Sequence, residues 1–473
     1  MAEGAFVMEP EKATVEPIAR KLAEFAHAFQ YDDIPEAVRE RAKLLILDAV
    51  GIAYASTHYD FAGKILAGLQ DVSGGGANSV IGYTAKLPLR DAVIMNGALV
   101  HGLDYDDTHM ISVVHPTASS FTTALGMTEH LGLDGKALLS TYVLAMENVI
   151  RVGVAANGGL HKFGFHPTGV CGHFSTALAV GKLLGLSVDQ LAMAQGFAGS
   201  TAAASMEFVE EGGWNKRIHG GWAGAAGITA AYMAKNGFVG PTNTYEGRFG
   251  LYKTHLHGDE KYVDYDALTR GLGEVWETAV TAVKPFPTCH FTHAIADSAL
   301  AVHHNHGVGP DDIERIRVQM PEIAVNLIAE PVAKKLKPVS DYDAKFSVQF
   351  MVAGCFHKGK FGLAELEEDV LRDPDILNLA AKVEYELDSK TGYPNYYSGG
   401  IIVTTKDGNE YVHHERVNRG AGDRALTASE IEAKYMDNAT LVLPRDKAEV
   451  IRDAVLGLDE MQVSDFAKIL AAE

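Results

Sequence analysis

Between His101 and Thr117 the chain gathers three carboxylates (Asp104, Asp106, Asp107), three imidazoles (His101, His109, His115) and two threonines (Thr108, Thr117). Apolar, alanine-rich segments flank this stretch on both sides. Carboxylates and imidazoles at such spacing are the usual instruments of proton transfer. Polarity between two core-forming segments must find partners, face water or do chemistry, because a buried polar group without a hydrogen bond costs roughly 2–7 kcal/mol.

Three further polar islands recur in apolar surroundings. Lys162-Phe-Gly-Phe-His166-Pro-Thr-Gly-Val-Cys-Gly-His173 offers histidines among glycines that permit close backbone approach. Gly212-Gly-Trp-Asn-Lys216-Arg-Ile-His219-Gly-Gly-Trp places Lys216, Arg217 and His219 ahead of an alanine-rich helix. That pattern suits either a carboxylate receptor at a helix N-terminus or an exposed basic loop. Val283-Lys284-Pro-Phe-Pro-Thr-Cys-His290-Phe-Thr-His293 is stiffened by two prolines and leads into a helix expected to be capped by Thr292.

Other chemistries lack their motifs. No G-x-G-x-x-G or G-K-[ST] loop, H-E-x-x-H pair or G-x-S-x-G elbow occurs. Cys171, Cys289 and Cys355 are widely spaced and lack zinc-site spacing. His303, His304 and His306 spread around a helix, and His413 and His414 point to opposite faces of a strand, so no metal site is expected. Asp, Thr, His and Lys without a cofactor motif suit abstraction of a proton next to a carboxylate, followed by elimination, isomerisation or loss of CO₂. Nearby cations would stabilise the enediolate while a histidine or carboxylate takes the proton.

These groups need a scaffold, and at 473 residues the chain exceeds the usual size of a single core, so two domains are expected. A net charge of −20 argues against nucleic acid or an anionic membrane as partner. Lysines in the site would reconcile that charge with an anionic substrate. The odd cysteine count implies a reducing compartment, the acidic residues 1–12 do not resemble a signal peptide, and no run reaches about 18 uncharged apolar residues. A soluble cytoplasmic protein is expected.

Apolar residues at spacings of three and four predict helices over 15–29, 35–55, 136–155, 174–184 and 187–204, the last opened by a Ser187/Gln190 capping box. Gly185 is a natural stop between the last two. Beyond residue 280 alternating patterns predict strands at 313–320, 382–388 and 400–414, the last a hairpin turning at Asp407-Gly-Asn, with helices at 292–306 and 344–356 between them. The chain returns to helix from Thr427. The expected fold is mainly α. A large all-α domain is formed by both chain ends (1–277 and 417–473), with a smaller inserted α+β lid domain at 278–416.

The sequence resembles the MmgE/PrpD family, which includes 2-methylcitrate dehydratase, cis-aconitate decarboxylase and iminodisuccinate epimerase. The resemblance runs over most of the chain. It is strongest in His101-Gly-Leu-Asp-Tyr-Asp-Asp-Thr, Val114-His-Pro-Thr, Phe165-His-Pro-Thr-Gly-Val-Cys-Gly, Lys216-Arg-Ile-His-Gly-Gly-Trp-Ala-Gly, Tyr245-Glu-Gly-Arg-Phe-Gly and Lys284-Pro-Phe-Pro-Thr-Cys-His-Phe-Thr-His. It implies a helical domain with an inserted lid, an active site between them, a homodimer, and neither metal nor organic cofactor. It also implies that Asp104, Thr108, His115, His166, Lys216 and Lys284 stand at active-site positions. His115 or His166 would then transfer the proton, with Asp104 and Thr108 orienting. Lys216 and Lys284, with His219 and His290, would bind a polycarboxylate substrate. His109 has no counterpart and is expected to face solvent. As the resemblance aligns, Cys289 stands where the decarboxylase branch has histidine, and Pro321-Glu-Ile-Ala-Val325 where it has a tyrosine.

The leading expectation is therefore a lyase dehydrating a 2-hydroxy acid of the citrate or methylcitrate type. Epimerisation of an iminodisuccinate-like dicarboxylate, cis-aconitate-type decarboxylation and a catalytically silent polycarboxylate-binding protein are the alternatives.

Overall fold

The computed structural model describes residues 16–472. The expected helix start at 15 and the reading of residues 1–12 lie outside them. The chain is mainly helical, as expected. Its amino-terminal helices are α1 (Ile18–Ala28), α2 (Glu36–Ser56), α3 (Asp60–Ser73), α4 (Leu89–His101), α5 (Pro116–Leu131), α6 (Gly135–Ala155), α7 (Pro167–Leu183), α8 (Val188–Gly199) and α9 (His219–Lys235). After α10 (His293–His306), β1 (Ile313–Met320), α11 (Val348–Lys358), β2 (Val383–Leu387), β3 (Gly399–Thr405) and β4 (Glu410–Glu415), the chain ends in α12 (Ala428–Ala439), α13 (Arg445–Leu456) and α14 (Val463–Leu470).

Two large apolar clusters divide this chain. One draws on residues from Ala19 to Val283 and again from Leu426 to Leu470. The other runs from Ala282 to Ala421 and includes Met110 from the first polar island. In the second cluster α10 and α11 cover a four-stranded sheet of order β2-β1-β3-β4, in which β2 runs parallel to β1 and the other pairs are antiparallel. The β3–β4 hairpin turns through Asp407, whose carboxylate accepts from the backbone and side chain of Asn409.

Local chemistry explains most boundaries. Ser187 and Gln190 close the capping box that opens α8, and Gly185 at φ 70° ends the segment before it. Three boundaries and one cap depart clearly from the sequence expectation. α7 begins at Pro167 rather than 174, because the proline in its first turn is already shaped for a helix and its glycines sit inside the helix. α8 ends at Gly199, and α11 starts only after Ser347, whose hydroxyl caps the Phe350 N–H. Thr292 precedes α10 without capping it, since its hydroxyl donates to the Cys289 carbonyl instead.

α6 is long and apolar enough to cross a membrane, but most of its surface is buried in the first cluster. There Arg151 pairs with Glu147 one turn away. The three cysteines are free.

The small residues of α9 let it lie directly on α4. A Cβ added at Gly221 would come within 2.5 Å of the Ile94 carbonyl oxygen and 2.7 Å of its Cα. Only glycine allows that approach. It sets the start of α9, with Lys216 and His219, against the end of α4, where the acidic island begins.

Candidate active site

The four islands meet around one pocket. Asp104, Thr108 and His115 line it from the loop between α4 and α5, and His166 from the start of α7. Lys216 enters from the turn before α9, while Lys284, Cys289 and His290 come from the segment before α10. Phe208, Phe291, Phe346 and Leu327 give it an apolar side.

Backbone hydrogen bonds sew the islands together. Thr108 and Ala282 exchange N–H to carbonyl bonds of 2.9 Å in both directions, which draws Lys284 up to the acidic loop. The His166 N–H donates to Ala204 (2.9 Å), and the His115 N–H to the Thr168 hydroxyl (2.9 Å). His115 and His166 are alike in position: each is the N-cap of its helix, followed by a proline in the first turn. Both imidazoles therefore sit at helix N-termini, where exposed N–H groups and the dipole favour anions.

Asp104 anchors the cations. Its Oδ1 accepts from Lys216 Nζ at 2.5 Å and lies 3.3 Å from Lys284 Nζ, which also donates to the Asp104 carbonyl at 2.7 Å. All three groups are almost fully buried. Burial alone would raise the Asp104 pKa, but the two ammonium groups and His115 outweigh it and hold the carboxyl well below its usual range. Asp104 stands at φ 52° and Val113, also on the pocket wall, at φ 55°. A β-branched residue rarely adopts this conformation, so the loop stores strain beside the pocket.

His115 is set up to receive a proton. Its Nδ1 lies 2.8 Å from the Asp107 carbonyl, which can only accept, so Nδ1 carries the hydrogen and the lone pair of the neutral ring is on Nε2. Nε2 stands 4.0 Å from Asp104 Oδ1. Burial, offset in part by Asp106 and reinforced by Lys284 and Lys216, keeps its pKa well below the ordinary histidine value. His166 is likewise held neutral by burial and by Lys216. Its Nδ1 meets His219 Nδ1 at 3.1 Å, and its buried Nε2 has no hydrogen-bond partner among the described residues.

The pocket thus contains Asp104, Thr108, His115, His166, Lys216, Lys284 and His290. Thr108 Oγ1 lies 3.1 Å from His115 Nδ1 and so supports the base rather than standing free. His290 Nε2 accepts from Asn418 at 2.8 Å. His219 does not line the pocket: it stands behind His166, and burial, with His101 and Lys216, lowers its pKa to about 3. Lys216 and Arg217 are buried, so the basic island is no exposed loop. The expectation for His109 is overturned. It is 2% exposed, held by Ser112 at Nδ1 (3.0 Å) and by Glu277 at Nε2 (3.1 Å), a partner too distant in the chain for its pairing to be foreseen.

Three features escaped sequence reasoning. His101 and Asp106 form a buried pair at 2.7 Å directly behind His115. The alternation of imidazole and carboxylate at 101 and 106 was the available signal. His161 lines both this pocket and a second, larger cavity. Met206 and Leu327 line both spaces as well.

Residues 20–263 match the model of the MmgE/PrpD N-terminal domain and residues 286–460 that of the MmgE/PrpD C-terminal domain. Among curated relatives, a cis-aconitate decarboxylase of Aspergillus terreus is 27% identical over 96% of this chain and 95% of its own length. A cis-aconitate decarboxylase of Homo sapiens is 26% identical over 94% and 92%. A probable 2-methylcitrate dehydratase of Saccharomyces cerevisiae is 23% identical over 86% and 82%.

Proposed function

The chain belongs to the MmgE/PrpD family of acid-processing enzymes, and from that premise we propose that it is a lyase dehydrating a 2-hydroxy polycarboxylate of the citrate or 2-methylcitrate type. The observation that carries the reading is the 2.8 Å contact of His115 Nδ1 with the Asp107 carbonyl, which leaves the Nε2 lone pair for the pocket that Lys216 and Lys284 also line.

A substrate carboxylate is held by the donors of Lys216 and Lys284 that Asp104 leaves unused, with the helix N-termini adding to the attraction. His115 Nε2 removes the proton from the carbon next to that carboxylate. Charge then spreads into an enediolate, which the two buried ammonium groups stabilise. The hydroxide on the adjacent carbon leaves as the double bond forms. Together with the proton taken by His115 it makes up the released water. Asp104 fixes the lysines, Thr108 the base, and His166 stands beside His115 to share the proton.

Decarboxylation is the second reading, because cis-aconitate decarboxylases are among the relatives. The same lysines would stabilise the carbanion left by CO₂. The carbanion must then take up a proton, which a lysine ammonium of the pocket would deliver.

Incubating the protein with citrate, 2-methylcitrate and cis-aconitate in D₂O separates the outcomes. New alkene absorbance from the hydroxy acids is expected. CO₂ release from cis-aconitate without it establishes the decarboxylase, and deuterium uptake without net conversion an epimerase.

A further inference from the structure

We propose that Asp106 is the counter-ion of His115 once that histidine holds a proton, and that His101 fixes the Asp106 carboxylate where this charge appears. The proposal rests on His115 as the proton acceptor of the reaction.

A protonated His115 would be a third cation in a buried site that already holds Lys216 and Lys284. The groups that face it are those two ammoniums, the rings of His101 and His166, and the carboxylates of Asp104 and Asp106. Only the carboxylates can balance an added positive charge. Asp104 Oδ1 is 4.0 Å from His115 Nε2, but it already serves two lysines. Asp106 Oδ1 is 4.0 Å from His115 Nδ1 and has no hydrogen-bond partner among the described residues. Of the two Asp106 oxygens, Oδ1 is therefore the one left to face an added charge.

His101 makes that placement rigid. Its Nδ1 lies 2.7 Å from Asp106 Oδ2, and both side chains are at most 1% exposed. The His101 ring stacks on His166, with centroids 5.5 Å apart at 19°, and sits 5.1 Å from the His115 ring. The pair thus lies directly behind the rings of His115 and His166 without lining the pocket itself. Burial works against ionisation of Asp106, yet His101 and His115 bring its pKa down to about 2, so it is a carboxylate at any working pH. The arrangement has the logic of a base oriented and charge-balanced by a buried acid. Here, however, the acid acts from 4.0 Å, while the Asp107 carbonyl takes the hydrogen bond.

Asp106→Asn, which keeps the shape and the acceptor for His101, tests the pair together with His101→Gln, whose amide can still donate to Asp106. Histidine titration followed by ¹⁵N NMR on the unliganded enzyme needs no substrate. It therefore reads the pair whether or not the polycarboxylate assignment holds. In Asp106→Asn the His115 titration is expected to move to lower pH. The acid limb of the kcat/KM profile should follow it, kcat should fall roughly 10- to 100-fold, and KM should stay the same. His101→Gln should move both in the same direction but less. An unmoved His115 titration in folded Asp106→Asn overturns the proposal; if that variant does not fold, an unmoved titration in His101→Gln does so.

Discussion

Lys216 Nζ and Asp104 Oδ1 meet at 2.5 Å, and this buried contact ties the glycine-rich start of α9 to the acidic loop after α4. Lys284 joins the same oxygen from a third segment. One carboxylate therefore organises the cations that the site presents to substrate.

Removing that carboxylate leaves two buried ammonium groups without their anion. Asp104→Asn should lose about 3–5 kcal/mol of stability, the usual result of breaking a buried pair from one side. Asp104→Asn with Lys216→Met should recover part of the loss. Denaturant unfolding of the single and double variants measures the coupling; strictly additive losses would contradict it.

His115 and Lys216 are expected to be indispensable to turnover. His115→Ala should lower kcat by about 10²–10⁴-fold, the contribution typical of a positioned general base, with an unchanged circular dichroism spectrum. Full activity in both His115→Ala and Lys216→Ala would remove the basis of the proposed chemistry.

Asp107 makes stability depend on pH. Burial, helped by Asp106 and opposed by the Thr117 hydroxyl, pushes its carboxyl up to about 8. An unfolded chain releases this proton near pH 4. Between pH ~4 and about 8 the folded chain therefore holds a proton that the unfolded chain has lost, so rising pH favours unfolding through this group. Asp107→Asn removes the effect and should gain stability over the parent between pH 5 and 8. Parallel unfolding midpoints across that range would refute it.

The buried histidines act with the opposite sign. Burial lowers His161 and His173 to about 4, and His219 to about 3. Their contribution is complete above the unfolded value near 6.5 and is lost as pH falls through about 4 and then 3. His161→Gln should make the acid-side fall in melting temperature shallower.

Gly221 has no room for a methyl group. Gly221→Ala should cost about 1–3 kcal/mol by overpacking against Ile94 and should displace α9, lowering both melting temperature and kcat.

Much of this was legible in the sequence because the signals were local. The two His-Pro-Thr turns are explained by proline geometry, the Ser187/Gln190 box by capping, and the β3–β4 hairpin by Asp407-Gly. The four islands were recognisable as chemistry because polar groups stood in apolar surroundings. What stayed hidden depends on distant partners. His109 is buried because Glu277 meets it, and His219 is displaced from the pocket because His166 stands in front. Met206 and Leu327, which line both cavities, carry no polar signature at all. His101 and Asp106 were visible as residues, but nothing in their spacing said that they pair with each other rather than with substrate.

Met110 has a wider consequence. It lies on the acidic loop, yet it packs in the second apolar cluster, and its carbonyl accepts from the Tyr397 hydroxyl at 2.7 Å. The loop carrying Asp104 and His115 is thus stitched into both halves of the molecule at once. Parting the two halves would therefore pull on this loop directly, through the Met110–Tyr397 contact.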